Sequence, residues 1–171
     1  MPTAEENADL DTAQLAQPWI EREEGRRLER YQDPKGIWTI GIGINLEDPY
    51  GKTLCTMAGV DHDAVLAGTA SLTDAQCDLM YRGAVLDVIS WMARLIPAFR
   101  SLDGSRRVAL LDMGYNLGET KFGKFERTIA AANAGNWTET AAEALDSDWA
   151  RELPERSARD AGMLHNGGDF A

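Results

Sequence analysis

No apolar run in the chain approaches the ~18 residues of a bilayer-spanning helix, so insertion into a membrane is not expected. The opening Met1-Pro2-Thr3-Ala4-Glu5-Glu6 has neither a basic start nor an apolar stretch, which argues against a secretory signal. Cysteine is scarce: Cys55 and Cys77 alone cannot build a disulfide scaffold, and free thiols are expected. Histidine is equally rare. His62 and His165 lie far apart, and no Cys/His spacing resembles a zinc site. Glu47-Asp48-Pro49 and Asp61-His62-Asp63 lack the glycine and closing glutamate of a calcium loop. Gly41-Ile42-Gly43-Ile44 lacks the third glycine of a nucleotide loop. No metal and no cofactor is therefore expected. Positive charge is short as well, with 17 Lys and Arg against 28 Asp and Glu for a net charge of −11. Nucleic-acid binding relies on clustered Lys and Arg, and this balance argues against it. There is no internal repeat.

What is present suits a compact enzyme. A chain of 171 residues with 44% hydrophobic content can bury a substantial core in one domain. Residues 1–17 are acidic and alanine-rich and read either as an N-terminal arm or as an added helix. A single domain is expected over 18–171, with a sheet lobe at about 26–72. A helical lobe at about 73–165 would complete it together with the N-terminal helix.

The most informative segment runs from Glu24 to Gly43. Glu24 and Asp33 are nine residues apart, and Thr39 follows six later. Pro18 to Gly25 reads as a short helix, with proline at its first position and glycine just past its end. Glu24 then sits in the last turn, where the helix dipole and partial burial favour a retained proton. Asp33 opens Asp33-Pro34-Lys35-Gly36, a turn signature rich in exposed amides. Thr39 begins Thr39-Ile40-Gly41-Ile42-Gly43, a β-rich run whose glycines allow close backbone approach. Two carboxyl groups in different surroundings, with a hydroxyl beside them, are what cleavage of a sugar–sugar bond requires. Asn45 either faces the same site or ends the strand as a turn residue.

Further elements follow from pattern. Leu28 to Leu46 should form a small antiparallel sheet, and Gly51 to Leu66 should include a helix. Thr73-Asp74-Ala75-Gln76 is a capping box opening a long helix, with apolar positions Leu79, Met80, Val85, Val88, Ile89, Met92 and Leu95. Pro97 should end it. Arg106 to Leu117 is the most apolar helix, and Phe125–Asn133 and Thr138–Leu145 should follow, split by Gly135. Trp137 and Trp149 read as packing residues, and residues 165–171 as a frayed end.

Glu24-Gly-x-x-Leu28-x-x-Tyr31-x-Asp33-x-x-Gly36-x-x-Thr39-Ile40-Gly41-Ile42-Gly43 resembles the active-site signature of the phage-type lysozymes, glycoside hydrolase family 24. Arg106-Arg107-x-Ala109-Leu110, Met113, Gly118-Glu119-Thr120, Trp137, Ser147-Asp148-Trp149 and Pro154-Glu155-Arg156 continue the resemblance in register. It covers roughly residues 18–165. The resemblance implies an α+β, mostly α fold. A small antiparallel β-sheet lobe and a larger helical lobe would be joined by a long helix, with a cleft between them. It also implies cleavage of the β-1,4 bond between N-acetylmuramic acid and N-acetylglucosamine in peptidoglycan. Glu24 would be the general acid, Asp33 the second carboxylate and Thr39 the hydroxyl that helps place water. Inverting chemistry implies carboxyls ~6.5–9.5 Å apart. Arg156 matches an arginine that approaches the catalytic glutamate, and its charge opposes burial and dipole there. Tyr115, Asn116 and Thr128 align with sugar-contacting positions, although Tyr115 suits a core aromatic equally well. Where the best-known relatives carry histidine, this chain has Ile44, and apolar packing is expected in its place.

The resemblance further implies a monomeric endolysin whose partner is bacterial peptidoglycan. It would be held in the host cytoplasm until a holin-type lesion releases it. Delivery on a phage tail is the other route. The negative charge opposes long-range attraction to an anionic wall, so recognition must come from short-range contacts. A lytic transglycosylase and a non-catalytic wall-binding or virion structural domain are the alternatives. Asp33 and Thr39 disfavour the first, since that route needs no positioned water, and the intact set disfavours the second.

Overall fold

Thr3 and Glu6 open the first helix with a reciprocal capping box. The Glu6 amide donates to Thr3 Oγ1 at 3.1 Å, and the Thr3 amide donates to Glu6 Oε2 at 2.6 Å. In this computed structural model, which describes residues 1–170, helix α1 runs from Ala4 to Glu24. It is much longer than the short helix expected from Pro18. Pro18 lies inside it and forgoes one backbone hydrogen bond. Burial of Thr12, Ala13 and Ala16 on one stripe offsets that loss. From Ala4 onward the N-terminal residues thus belong to a helix, the second of the two expected readings.

The chain divides into two compact units, Ile20–Val85 and a second made of Met1–Trp19 with Leu86 onward. The first unit carries a three-stranded antiparallel sheet, β1 (Arg27–Gln32), β2 (Trp38–Gly41) and β3 (Ile44–Asn45), in the order β1-β2-β3. Tyr31 lies opposite Thr39 and Gln32 opposite Trp38, with an irregularity between Arg27 and Tyr31. On the other edge of β2, Thr39 faces Asn45 and Ile40 faces Ile44. The Gly51–Leu66 region holds two helices where one was expected: α2 (Pro49–Met57) and α3 (His62–Ala67). Each has an aspartate cap, Asp48 on Tyr50 and Asp61 on Ala64. Arg30 ties the sheet to α3, its guanidinium 3.8 Å from the Trp38 ring centre and donating to the Leu66 carbonyl. Ile40, Ile42, Ile44 and Leu46 supply the core beneath, so Ile44 packs as expected.

Helix α4 (Asp74–Leu95) opens with the expected Thr73–Gln76 box. Its inward stripe is Cys77, Met80, Val85, Ile89 and Met92, while Leu79 is exposed, contrary to its expected place in that stripe. Cys55 and Cys77 are buried free thiols.

In the second unit, α5 (Gly104–Phe122) is buried continuously from Val108 to Gly114, so it forms the core of that unit. The helical path breaks at Gly118, where φ is 73°. Four helices follow: α6 (Glu126–Asn133), α7 (Trp137–Leu145), α8 (Asp148–Glu152) and α9 (Pro154–Asn166). Trp149 is buried, as expected of a packing residue. Arg100 holds the early part of α1 through Asp9 at 2.9 Å and Glu5 at 3.2 Å. The chain end is also held. Asp169 accepts from the Gly104 amide at 2.7 Å, and the Phe170 ring lies 5.3 Å from that of Trp19. The expected fraying of residues 165–171 is therefore replaced by contacts up to Phe170, and Ala171 lies outside the described residues. No helix of the described residues is long and apolar enough to cross a membrane. The fold is α+β and mostly α, as expected.

Candidate active site

Glu24 is the last residue of α1, and Gly25 leaves the helix with φ 76° while its amide still bonds the Glu21 carbonyl at 2.8 Å. Arg26 anchors this exit, with nitrogens 2.9 Å from both Asp74 and Asp78 and 3.5 Å from Glu21. Those carboxylates hold its proton more firmly than usual, the bond to Asp78 contributing most. The half-buried Glu24 side chain rests on Gly43. A Cβ at Gly43 would lie 2.9 Å from Glu24 Oε2 and 3.3 Å from Cδ. Gly43 also has φ 69°, so both space and backbone require glycine there. The close approach expected of the glycine-flanked strand is thus made by the Glu24 carboxyl.

Asp33 folds its own turn. Its Oδ1 accepts the amides of Lys35 at 2.8 Å and Ile37 at 2.9 Å, and its carbonyl accepts the Gly36 amide at 2.9 Å. Oδ2 takes no hydrogen bond from the described residues and is left as an acceptor. Thr39 is nearly buried, and its hydroxyl donates to the Ile37 carbonyl at 3.0 Å. With that hydrogen committed, the outward lone pairs of Thr39 Oγ1 can only accept.

Residues directly opposite across a ladder share a face, as do residues two apart in a strand. Tyr31, Thr39 and Asn45 therefore form one row across the three strands, and Asp33 follows just past the end of β1, two residues after Tyr31. Asn45 Oδ1 accepts the Glu47 amide at 2.8 Å, so this residue ends the strand in a turn while standing beside Thr39.

The remaining expected residues belong to the second unit. Tyr115 is half-buried, while Asn116 is exposed and accepts from Trp149 Nε1 at 3.0 Å. Thr128 is only 2% exposed, which suits packing better than an open sugar contact. Arg156 is buried and makes a two-pronged pair with Asp112, both contacts 2.8 Å. Arg159 bridges the same Asp112 at 2.8 Å and Asp160 at 3.0 Å. Burial, and then the charge of Asp112, push the Asp160 carboxyl up to about 9. Asp160 Oδ2 has no hydrogen-bond donor, as befits an oxygen that carries a proton. The sequence reading assigned no part to Asp112, although a single carboxylate inside the run Val108 to Gly114 was a usable signal.

Residues 21–162 match the phage lysozyme family, a span that includes Glu24, Asp33, Thr39 and Arg156. The chain belongs to the phage lysozyme family. Within it, the chain is similar to probable T4-type lysozyme 2 of Dictyostelium discoideum. The two are 24% identical over 156 residues, covering 86% of this chain and 92% of that one. Probable T4-type lysozyme 1 of the same organism is 22% identical over the same shares. The pre-baseplate central spike protein Gp5 of Enterobacteria phage T4 is 25% identical over 169 residues, 93% of this chain and 28% of the spike protein. The resemblance read from the Glu24–Gly43 segment is thereby borne out.

Proposed function

We propose that the protein is a peptidoglycan hydrolase cleaving the β-1,4 bond between N-acetylmuramic acid and N-acetylglucosamine with inversion. The observation that carries this reading is the acceptor pair. Asp33 Oδ2 and Thr39 Oγ1 can each take one hydrogen of the same water, leaving a lone pair of its oxygen for the anomeric carbon. Glu24 gives its proton to the leaving oxygen, and Asp33 takes one from the water as the new bond forms. Arg156, fixed by Asp112, supports the acid, and Tyr115 and Asn116 contact sugars further along the glycan, as the resemblance implies. Asn45 lends its side-chain amide beside Thr39.

Mass spectrometry of digested peptidoglycan tests this. Reducing fragments ending in N-acetylmuramic acid are expected. Anhydro ends would instead mean transglycosylation, and no release by folded protein would mean a binding domain.

Gly43→Ala gives a second test. It forces a methyl group into Glu24 and a side chain into a left-handed backbone, at ~1–2 kcal/mol. Because small misplacements of reacting groups are costly, lytic rate should fall roughly 10- to 100-fold in protein that still melts cooperatively. A rate close to wild type would show that the acid does not depend on this contact.

Attachment to a virion is a second reading of where the enzyme acts, supported by similarity to a spike protein. Immunogold labelling of purified particles separates it from a free endolysin released by a holin-type lesion.

A further inference from the structure

We propose that Tyr31 is a substrate-binding residue, its phenol O–H donating to a hydroxyl or acetamido oxygen of the amino sugar seated over Asp33 and Thr39. This rests on the hydrolase reading above.

The register places Tyr31 directly opposite Thr39, on the same face, and two residues before Asp33 in the chain. It is half-buried, and no hydrogen bond occupies its hydroxyl among the described residues. The ring is covered on one side by a charged neighbour. The Arg27 guanidinium lies 4.3 Å from its centre, from the same strand and the same face. The phenol is therefore an oriented polar group with an unused hydrogen.

Its chemistry complements its neighbours. Asp33 Oδ2 and Thr39 Oγ1 present only acceptors to the water, so neither can donate to the sugar. A glycan covered in hydroxyl and acetamido oxygens needs donors on that face, and Tyr31 supplies one on the opposite side of Thr39 from the Asn45 amide. Burial raises the phenol above its ordinary pKa, and the charges of Glu24 and Asp33 add to the rise while Arg27 opposes it. Tyr31 thus keeps its proton throughout the neutral range.

The test is Tyr31→Phe, which keeps the ring and its contact with Arg27 and removes only the O–H. Steady-state kinetics on soluble glycan fragments would be run beside wild type and Glu24→Gln, with melting curves for all three. The hydrogen bond goes to an oxygen that does not react, so it forms equally in ground and transition states. The expected result is a roughly tenfold fall in kcat/KM carried by KM, with kcat and melting temperature unchanged. Parameters equal to wild type, or a loss confined to kcat, would overturn the proposal. If instead folded wild-type protein releases no product from these fragments, it is the hydrolase reading that fails. Should Tyr31→Phe not fold, Glu24→Gln with 13Cζ-labelled tyrosine can be titrated with the same fragments. The Tyr31 signal should shift on binding, and an unmoved signal during saturation would overturn the proposal.

Discussion

Asp112→Ala should destabilise the protein by about 3–5 kcal/mol, a loss of roughly 10 °C or more in melting temperature for a chain of this size. Asp112 is fully buried and receives Arg156 through two contacts and Arg159 through a third, each 2.8 Å. Removing it takes both of these carboxylate contacts from the buried Arg156 guanidinium and one from Arg159. Stripping carboxylate contacts from a buried charge is among the most damaging single changes a fold can suffer. Thermal melting checks it, and a change under 1 kcal/mol would mean that water reaches these groups readily.

The neighbouring Asp160 gives the same cluster a pH signature. Its folded carboxyl, pushed up to about 9 from 3.8, keeps a proton that the unfolded chain has released. Between these values the native state binds more protons, so stability declines as pH rises, by at most about 1.4 kcal/mol per unit. Asp160→Asn keeps a neutral group there and should flatten the fall of melting temperature between pH 5 and 9. An unchanged slope would show that Asp160 is ionised in the fold.

Glu24→Gln should lower the rate of glycan cleavage by about 10²–10⁴-fold, the usual share of a positioned acid. The amide keeps the shape of the carboxyl, so the contact with Gly43 and the end of α1 should persist and stability should hardly change. Loss of activity with intact folding assigns a chemical role to this side chain. A loss of less than about threefold would remove Glu24 as the proton donor.

Much of this molecule is legible in its residues, for local reasons. Asp33-Pro34-Lys35-Gly36 folds through bonds between near neighbours, and Thr73–Gln76 caps a helix through residues three apart. Thr3–Glu6 carries the same capping signature. Pro18 also reads as a helix start, and only the packing of Ala13 and Ala16 decides between the two. The row of Tyr31, Thr39 and Asn45 depends on strand register, which the irregularity between Arg27 and Tyr31 hides from simple alternation. Asp112 and Asp160 lie 48 residues apart in sequence and meet only through helix packing. Leu79 is a local miss, an apolar residue at helical spacing that the neighbouring turns leave uncovered.

The anomeric configuration of the first product tests the proposed chemistry most directly. Proton NMR during early turnover on a soluble β-1,4 glycan fragment should show the α anomer first. In the proposed mechanism, a water held by Asp33 and Thr39 attacks the face opposite the departing β oxygen. A β anomer appearing first would contradict this, because it would require a covalent intermediate or a same-face attack that this water cannot make.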